Sequence, residues 1–300
     1  MQLSYYYSMK IKLKLAALTI QVHSVHSYSQ SIYIPMSIRI PKPRVAPTSE
    51  GITLTFGDMA ENHVGMEQIG QMVAAGQGFQ LEDLQAIQHA MEARGVVCEL
   101  VTLSTDDQPA AYVLVMRAGV NALLDGKTQQ SMFAEQKRLV YDKQAFMYGR
   151  VVNKHARWNL CFDENSRDPD YEAGKGRIVG YNEVPIMKSL MDQIAALHPK
   201  AENLKVESNY YYDTTKCGIG FHGDAERRVV VGVRIGHAST PMNWQWFHQG
   251  KPIGDRIVVP LEPGDMYVMS EKAVGTDWKK KTIPTLRHAT GCDKFTTISE

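Results

Sequence analysis

The chain has 300 residues, of which 44 % are hydrophobic and 22 % charged, a composition typical of a globular protein with a sizeable core. Its 33 basic and 32 acidic residues give a net charge of +1, which excludes a nucleic-acid binder that is basic over its whole surface. The four cysteines have no paired spacing, which argues against a zinc or redox motif and predicts free thiols in a reducing compartment; they are Cys98, Cys161, Cys217 and Cys292.

The first segment, residues 1–49, differs from the rest of the chain in charge. It contains six basic residues and no acid, whereas the remainder carries 27 basic and 32 acidic residues. We predict a disordered extension, with a targeting leader within residues 1–35 or a start at Met36 as alternatives. Its apolar run, residues 15–22, is too short to span a membrane. An intracellular location, in cytoplasm or nucleus, is favoured unless residues 1–35 direct the chain to an organelle.

Residues 50–140 predict a small α/β region packed against the C-terminal part of the chain. Apolar residues at helical spacing predict helices, and continuous apolar runs predict strands. The predicted helices are 64–75, 81–94 and 128–145, and the predicted strands are 98–103 and 111–116. No motif in this region of the sequence indicates a function.

From residue 141 to residue 300 the chain has short strand-like runs separated by turn signals such as Pro263-Gly264-Asp265. The predicted strands are 204–212, 218–224, 229–236, 256–261 and 265–270, and they follow a predicted helix at 184–197. A series of many short strands predicts a sandwich or a barrel.

The tripeptide His222-Gly223-Asp224 is the strongest chemical signal in the sequence. Residues i and i+2 of a strand project to the same side, so His222 and Asp224 would share a face. His288 would complete a set of two imidazoles and one carboxylate, which binds iron(II) and leaves coordination positions open. The alternatives are an ordinary polar pair, or a third ligand from His237 or His248, which are more typical of surface loops.

Several motifs in order around this tripeptide resemble the AlkB-like 2-oxoglutarate/iron(II) dioxygenases over about residues 140–295. They are Asn209-Tyr210-Tyr211-Tyr212-Asp213, the tripeptide itself, a strand ending in Gly236 and the turn Glu262-Pro263-Gly264-Asp265. The resemblance implies a double-stranded β-helix, a jelly-roll barrel with flanking helices, over residues 141–300. It also implies that His222, Asp224 and His288 hold iron(II). The implied reaction uses 2-oxoglutarate and O2 to hydroxylate a C–H bond of a methylated nucleobase in DNA or RNA.

The sequence departs from the family pattern after the distal histidine. The family has two arginines there, the first of which holds the far carboxylate of 2-oxoglutarate, but only Lys294 follows His288 as a cation. Within 229–236 the apolar residues alternate with a set that includes Arg234 and would face the barrel interior. A buried guanidinium needs an anion and suits a carboxylate, so Arg234 is the predicted anchor and Lys294 its competitor. The alternative is a surface ion pair at Arg234.

The same pocket is predicted to include Asn209 and Tyr211. For substrate binding, the resemblance points to the segment where the family has its lid, with Arg150, Lys154, Arg157 and Trp158. Trp244 and Trp246 alternate along one strand face, where they either pack in the core or stack on unpaired bases. The three lysines at 279–281 form either a solvated loop or a phosphate contact.

Two further functions stay open. One is a protein or small-molecule hydroxylase on the same barrel, which predicts a narrow apolar pocket without a basic rim. The other is a catalytically silent barrel that acts as an interaction module. It predicts that His288 points away from His222 and Asp224.

Overall fold

The computed structural model describes residues 49–105 and 107–298. Nearly all of the predicted N-terminal extension, including the leader considered at residues 1–35 and Met36, lies outside these residues. The strands are β1 (Gly51–Gly57), β2 (Met59–Glu61), β3 (Gln68–Gly70), β4 (Cys98–Thr102), β5 (Tyr112–Met116), β6 (Gln144–Met147), β7 (Arg150–Asn153), β8 (Trp158–Asp163), β9 (Ile178–Gly180), β10 (Lys205–Tyr211), β11 (Gly218–His222), β12 (Val230–Gly236), β13 (Met242–His248), β14 (Lys251–Val259), β15 (Met266–Met269) and β16 (Thr285–Gly291). The α-helices are α1 (Leu81–Glu92), α2 (Gly119–Leu123), α3 (Gln129–Lys137), α4 (Pro185–Ala195), α5 (Glu271–Val274) and α6 (Asp293–Thr296).

Eight strands form the larger sheet, in the order β4-β5-β15-β12-β1-β10-β8-β9. Only the β8–β9 pair is parallel among them. β1 lies in the interior of this sheet, where all seven of its residues are buried between β12 and β10. Its isoleucine, threonines and phenylalanine suit a strand that is covered on both faces.

The structure does not divide the chain at residue 140. β1, β4 and β5 belong to the same sheet as strands from the C-terminal half, and the described residues from 49 onward form one unit. The small α/β region predicted at 50–140 is therefore part of the strand-rich unit predicted for 141–300. Local periodicity identifies a strand, but it does not reveal which distant strands will hydrogen-bond with it.

Helices cover one face of the larger sheet. Val231, Val233 and Ile235 of β12 share a core with Leu84 of α1 and Leu190 of α4. The apolar, odd-numbered residues of this strand therefore pack under a helical layer. The even-numbered positions, including Arg234, consequently face the other side of the sheet.

Four strands form the smaller sheet, in the order β11-β16-β13-β14. Trp244, Trp246 and Leu286 of this sheet share a second core with Val230 and Tyr267 of the larger sheet, so the two sheets pack against each other. The two indole side chains are buried, and Trp246 Nε1 donates to the carbonyl of Leu103 at 2.6 Å. Of the two alternatives for Trp244 and Trp246, core packing is confirmed, and burial in this core excludes stacking on bases.

The chain is a mixed α/β protein in which most regular structure is strand. Its two main sheets are compatible with a β-sandwich, and across residues 49–105 and 107–298 no sheet closes on itself as a barrel. Within those same ranges, no helix is long and apolar enough to cross a membrane.

Two predicted helices differ from the structure. The segment 64–75 contains β3 and turns, because Gly65 and Gly70 have φ values of 83° and 100° that interrupt a right-handed helix. The helix predicted at 128–145 ends at Lys137, and β6 begins a few residues later. The helices predicted at 81–94 and 184–197 and the strands predicted at 98–103 and 111–116 are confirmed to within a few residues.

Candidate metal centre and its cavity

The side chains of His222, Asp224 and His288 converge beside the smaller sheet. β11 and β16 are antiparallel neighbours in which His222 lies opposite His288, so both imidazoles project to the same side. Asp224 Oδ1 lies 3.5 Å from Nε2 of each histidine. The three ligand atoms lie within 4.8 Å of one another, so His288 does not point away from the other two residues.

The residue between the candidate ligands His222 and Asp224 must be a glycine. A Cβ atom built on Gly223 would overlap the carbonyl oxygen of Gly275. The backbone N–H of Asp224 donates to the carbonyl of Val274 at 3.0 Å, which fixes the carboxylate at the end of β11. The close approach of these two backbone segments therefore positions the carboxylate relative to the imidazoles.

Hydrogen bonding and burial set the protonation of this cluster. His222 Nδ1 lies 2.8 Å from the carbonyl of Gly220 and 3.1 Å from that of His288, so we assign the proton to Nδ1 and the lone pair to Nε2. Burial, together with the neighbouring imidazole, lowers the pKa of His222 to about 3. Burial favours a higher pKa for Asp224, but Arg227 and the two imidazoles outweigh it and hold that pKa below its usual range.

The His222 imidazole is therefore neutral and Asp224 is ionised at neutral pH. A donor set of two imidazoles and one carboxylate suits a divalent transition metal. The three residues supply one ligand atom each, so further coordination positions would remain for small ligands.

A buried arginine, Arg227, lies behind the candidate ligand Asp224. Its Nε is 3.6 Å from Asp224 Oδ2, and its Nη2 donates to Glu207 Oε2 at 2.6 Å and to Glu226 Oε1 at 2.7 Å. Burial raises the pKa of Glu226 to about 7, although Arg227 acts against this rise. Arg227 thus neutralises a group of buried carboxylates and holds Asp224 through the oxygen that does not face the imidazoles.

Replacing Arg227 by methionine is expected to lower the free energy of unfolding of the metal-free protein by about 3–5 kcal/mol, because buried carboxylates lose their counter-ion. Urea unfolding followed by circular dichroism measures the change. The matched control is Arg256→Met, since Arg256 is exposed and has no carboxylate within 4.0 Å among the described residues. Equal stability of the two variants would show that Arg227 does not hold the cluster together.

The candidate ligands open into a cavity of about 880 Å³ lined by residues of both main sheets. Arg234 reaches this cavity from β12 and is only 4 % exposed. Its Nη atoms donate to the hydroxyls of Thr53 and Thr290, and its Nε has no hydrogen-bond partner among the described residues. No carboxylate of residues 49–105 or 107–298 forms an ion pair with it.

Arg234 is therefore a buried cation with neutral partners, and the alternative of a surface ion pair is wrong. Such a group is costly to bury unless an anion meets it. Asn209 and Tyr211 line the same cavity, and the Tyr211 ring centre lies 5.9 Å from Arg234 Cζ. Lys294 is exposed on α6 and does not line the cavity, so its position excludes the competing role.

The residues predicted to bind substrate lie in different places. Arg157 lines the cavity, and its Nε donates to Asn209 Oδ1 at 2.7 Å. Lys154 lies outside the cavity wall and donates to the side chains of Asn62 and Asn159. Trp158, Arg150 and the two core tryptophans do not line the cavity. Trp158 stacks on Tyr212 with ring centres 4.3 Å apart, and Arg150 is exposed on β7.

The cavity wall also contains residues that the sequence analysis did not identify. They are Glu61, His63, Glu207, Glu226, Arg227, Tyr267 and Trp278. A period of two along β10 from Asn209 would have found Glu207, and the inward positions of β15 include Tyr267. No sequence pattern around His63 could have indicated its position, because that position at the cavity depends on the insertion of β1 into the larger sheet.

Fold and cluster together define a strand-rich α/β protein with a candidate metal centre between two sheets. No protein-family model matches the chain. Over 256 residues the chain is 45 % identical to an uncharacterized protein of Acanthamoeba polyphaga mimivirus, and the match spans 82 % of this chain and 97 % of the viral protein. The chain belongs to the same family as this viral protein.

Proposed function

We propose that the protein is an iron(II)- and 2-oxoglutarate-dependent dioxygenase, and that its two sheets form a jelly-roll, or double-stranded β-helix. The observation that carries the proposal is a His-Asp-His cluster in the same cavity as a buried arginine without a carboxylate partner among the described residues. The cluster has the donor set of a site for iron(II). The arginine supplies a fixed cation that can bind one carboxylate of a dicarboxylate.

In this proposal each residue has a defined role. His222, Asp224 and His288 hold the metal, and Arg234 binds the far carboxylate of 2-oxoglutarate beside Asn209 and Tyr211. Bound iron(II) with 2-oxoglutarate and O2 supplies the oxidation of a substrate C–H bond, while 2-oxoglutarate is converted to succinate and CO2. The cavity walls exclude bulk water and orient the substrate carbon toward the metal.

The test is the release of succinate by the purified protein supplied with iron(II), 2-oxoglutarate and O2. We expect succinate formation that needs all three and rises when the substrate is added. Methylated single-stranded DNA, methylated RNA and a mixture of peptides are compared as substrates. A protein that binds metal but forms no more succinate than iron(II) in buffer would refute the proposed activity.

We further propose a nucleobase of single-stranded DNA or RNA as the substrate, on the basis of a cationic rim at the cavity. Of the rim residues, Arg157 and Lys279 line the cavity, Lys280 and Lys281 follow Lys279 in the chain, and Arg256 and Arg287 lie outside the wall. The structure pairs none of the six with a carboxylate among the described residues. Arg256 Cζ lies 5.2 Å from the ring of Phe221, and Arg287 Cζ lies 5.4 Å from the ring of Trp278. Phe221 and Trp278 are residues of the cavity wall, so each of these two arginines contacts a residue of that wall. This combination suits phosphates and unpaired bases.

Replacing Lys279, Lys280 and Lys281 by glutamine is expected to weaken binding of a single-stranded oligonucleotide. If each lysine contacts one phosphate, the slope of log affinity against log salt should fall by about 2. Fluorescence anisotropy over a range of salt concentrations measures both quantities. The control replaces three exposed or half-buried lysines outside the cavity wall, Lys127, Lys175 and Lys188. Equal slopes for the two triple variants would argue against a phosphate contact at the rim.

A second candidate is a hydroxylase that acts on a cationic small molecule or peptide. Its support is the pair Glu61 and Glu226, which line the cavity and whose pKa values are raised by burial. A substrate cation would relieve the cost of burying these carboxyl groups in charged form. Succinate formation that rises with peptides and not with nucleic acid would favour this candidate.

A further inference from the structure

One tyrosine of the cavity wall has a packing that depends on a glycine opposite to it. Tyr267 of β15 and Gly232 of β12 are direct partners in the larger sheet. A Cβ atom built on Gly232 would overlap Cζ, the hydroxyl-bearing atom of the Tyr267 ring. The ring therefore lies across the backbone of β12, and any other residue at position 232 would displace it.

This packing places the tyrosine next to the buried cation. Gly232 and Arg234 are two residues apart on β12 and face the same side of the sheet. Tyr267 is 3 % exposed, lines the same cavity as Arg234 and packs in the core between the two sheets. Its hydroxyl forms no hydrogen bond with a described residue, in contrast to the hydroxyls of Tyr141, Tyr171 and Tyr210.

The protonation of Tyr267 suits a hydrogen-bond donor. Burial raises its pKa to about 12, although Arg234 acts in the opposite direction. The hydroxyl therefore carries its proton at neutral pH and can donate to an anion. A donor beside a guanidinium that lacks a carboxylate partner would complete a site for one carboxylate group.

We propose that Tyr267 is a specificity-determining residue for the co-substrate, with its hydroxyl bound to the distal carboxylate that Arg234 holds. This contact requires a glycine at position 232, because a side chain there would displace the Tyr267 ring. The inference rests on the proposed function. It adds a residue outside the segment 209–213 and assigns recognition of the distal carboxylate to a pair of neighbouring strands, β12 and β15.

The experiment compares two keto acids in binding to the full-length protein loaded with Mn(II), which permits binding without turnover. 2-Oxoglutarate has the distal carboxylate, and 2-oxovalerate has the same five-carbon chain without it. Isothermal titration calorimetry measures both affinities for the wild type, for Tyr267→Phe and for the control Tyr112→Phe. Tyr112 lies on β5 and does not line the cavity.

Tyr267→Phe retains the ring that packs on Gly232 and loses only the hydroxyl. We expect about tenfold or more weaker binding of 2-oxoglutarate, because a hydrogen bond to a charged group is lost, with unchanged binding of 2-oxovalerate. Tyr112→Phe should bind both acids like the wild type. If Tyr267→Phe weakens both acids equally, or neither, the contact with the distal carboxylate is refuted while the proposed function stands. A wild type that binds neither acid overturns the proposed function and this inference with it.

Discussion

Replacing His222 by alanine is expected to abolish succinate formation and to weaken metal binding by more than about 100-fold, which exceeds the usual effect of losing a residue that only supports a ligand. The reason is geometric: His222 and His288 are opposite each other on β11 and β16, and Asp224 Oδ1 is the same distance from both. No other imidazole of residues 49–105 or 107–298 lies in this cluster. Titration with Co(II), followed by its absorption bands, measures the affinity separately from activity.

The matched control for this prediction is His248→Ala, since His248 was an alternative third ligand and lies at the end of β13, outside the cluster. It should bind Co(II) and form succinate like the wild type. The ligand assignment would be overturned by a His222→Ala protein that still couples 2-oxoglutarate to product. It would also be overturned if His248→Ala lost metal as severely.

Replacing Arg234 by methionine is expected to weaken binding of 2-oxoglutarate by about 100-fold or more, because truncation leaves a buried carboxylate without its cation. The same change should not lower the stability of the ligand-free protein, since it removes a buried charge that has only threonine hydroxyls as partners. Calorimetry measures the binding, and urea unfolding measures the stability. A general structural defect would lower both, so the two results together separate the anchor from a merely structural arginine.

Lys294→Met is the control for the anchor, because Lys294 is the cation that follows the distal histidine in the sequence but is exposed on α6. Its affinity for 2-oxoglutarate should equal that of the wild type. If Lys294→Met weakened binding of 2-oxoglutarate and Arg234→Met did not, Lys294 would be the anchor in place of Arg234.

The sequence predicts those parts of the molecule that depend on short-range periodicity. Alternation along residues 229–236 identified the buried face of β12 and the inward position of Arg234, because a strand has a period of two. The same reasoning, applied to His222 and Asp224, brought two of the three candidate ligands to one face. Helix α1 was predictable because its apolar residues Leu84, Ile87 and Met91 form one stripe.

The sequence did not predict features that depend on long-range pairing. Alternation at Trp244 and Trp246 indicated a shared face, but only the packing of the two sheets shows that this face is a core. Arg227 had no periodic signal, because it lies after β11 and before β12 and meets Glu207 from another strand. The glycines at 65 and 70 interrupt a segment whose apolar spacing alone predicts a helix.

The position of β1 also has a consequence for biosynthesis. Residues 51–57 are translated before their partners, since 205–211 follow roughly 150 residues later and 230–236 roughly 180 residues later. The nascent chain therefore holds an unpaired, aggregation-prone segment throughout that interval. Assembly of the sheet is therefore completed only late in translation or after release. A truncated chain that begins at residue 141 would lack β1. The edges of β10 and β12 that pair with it would then be unpaired and prone to aggregate.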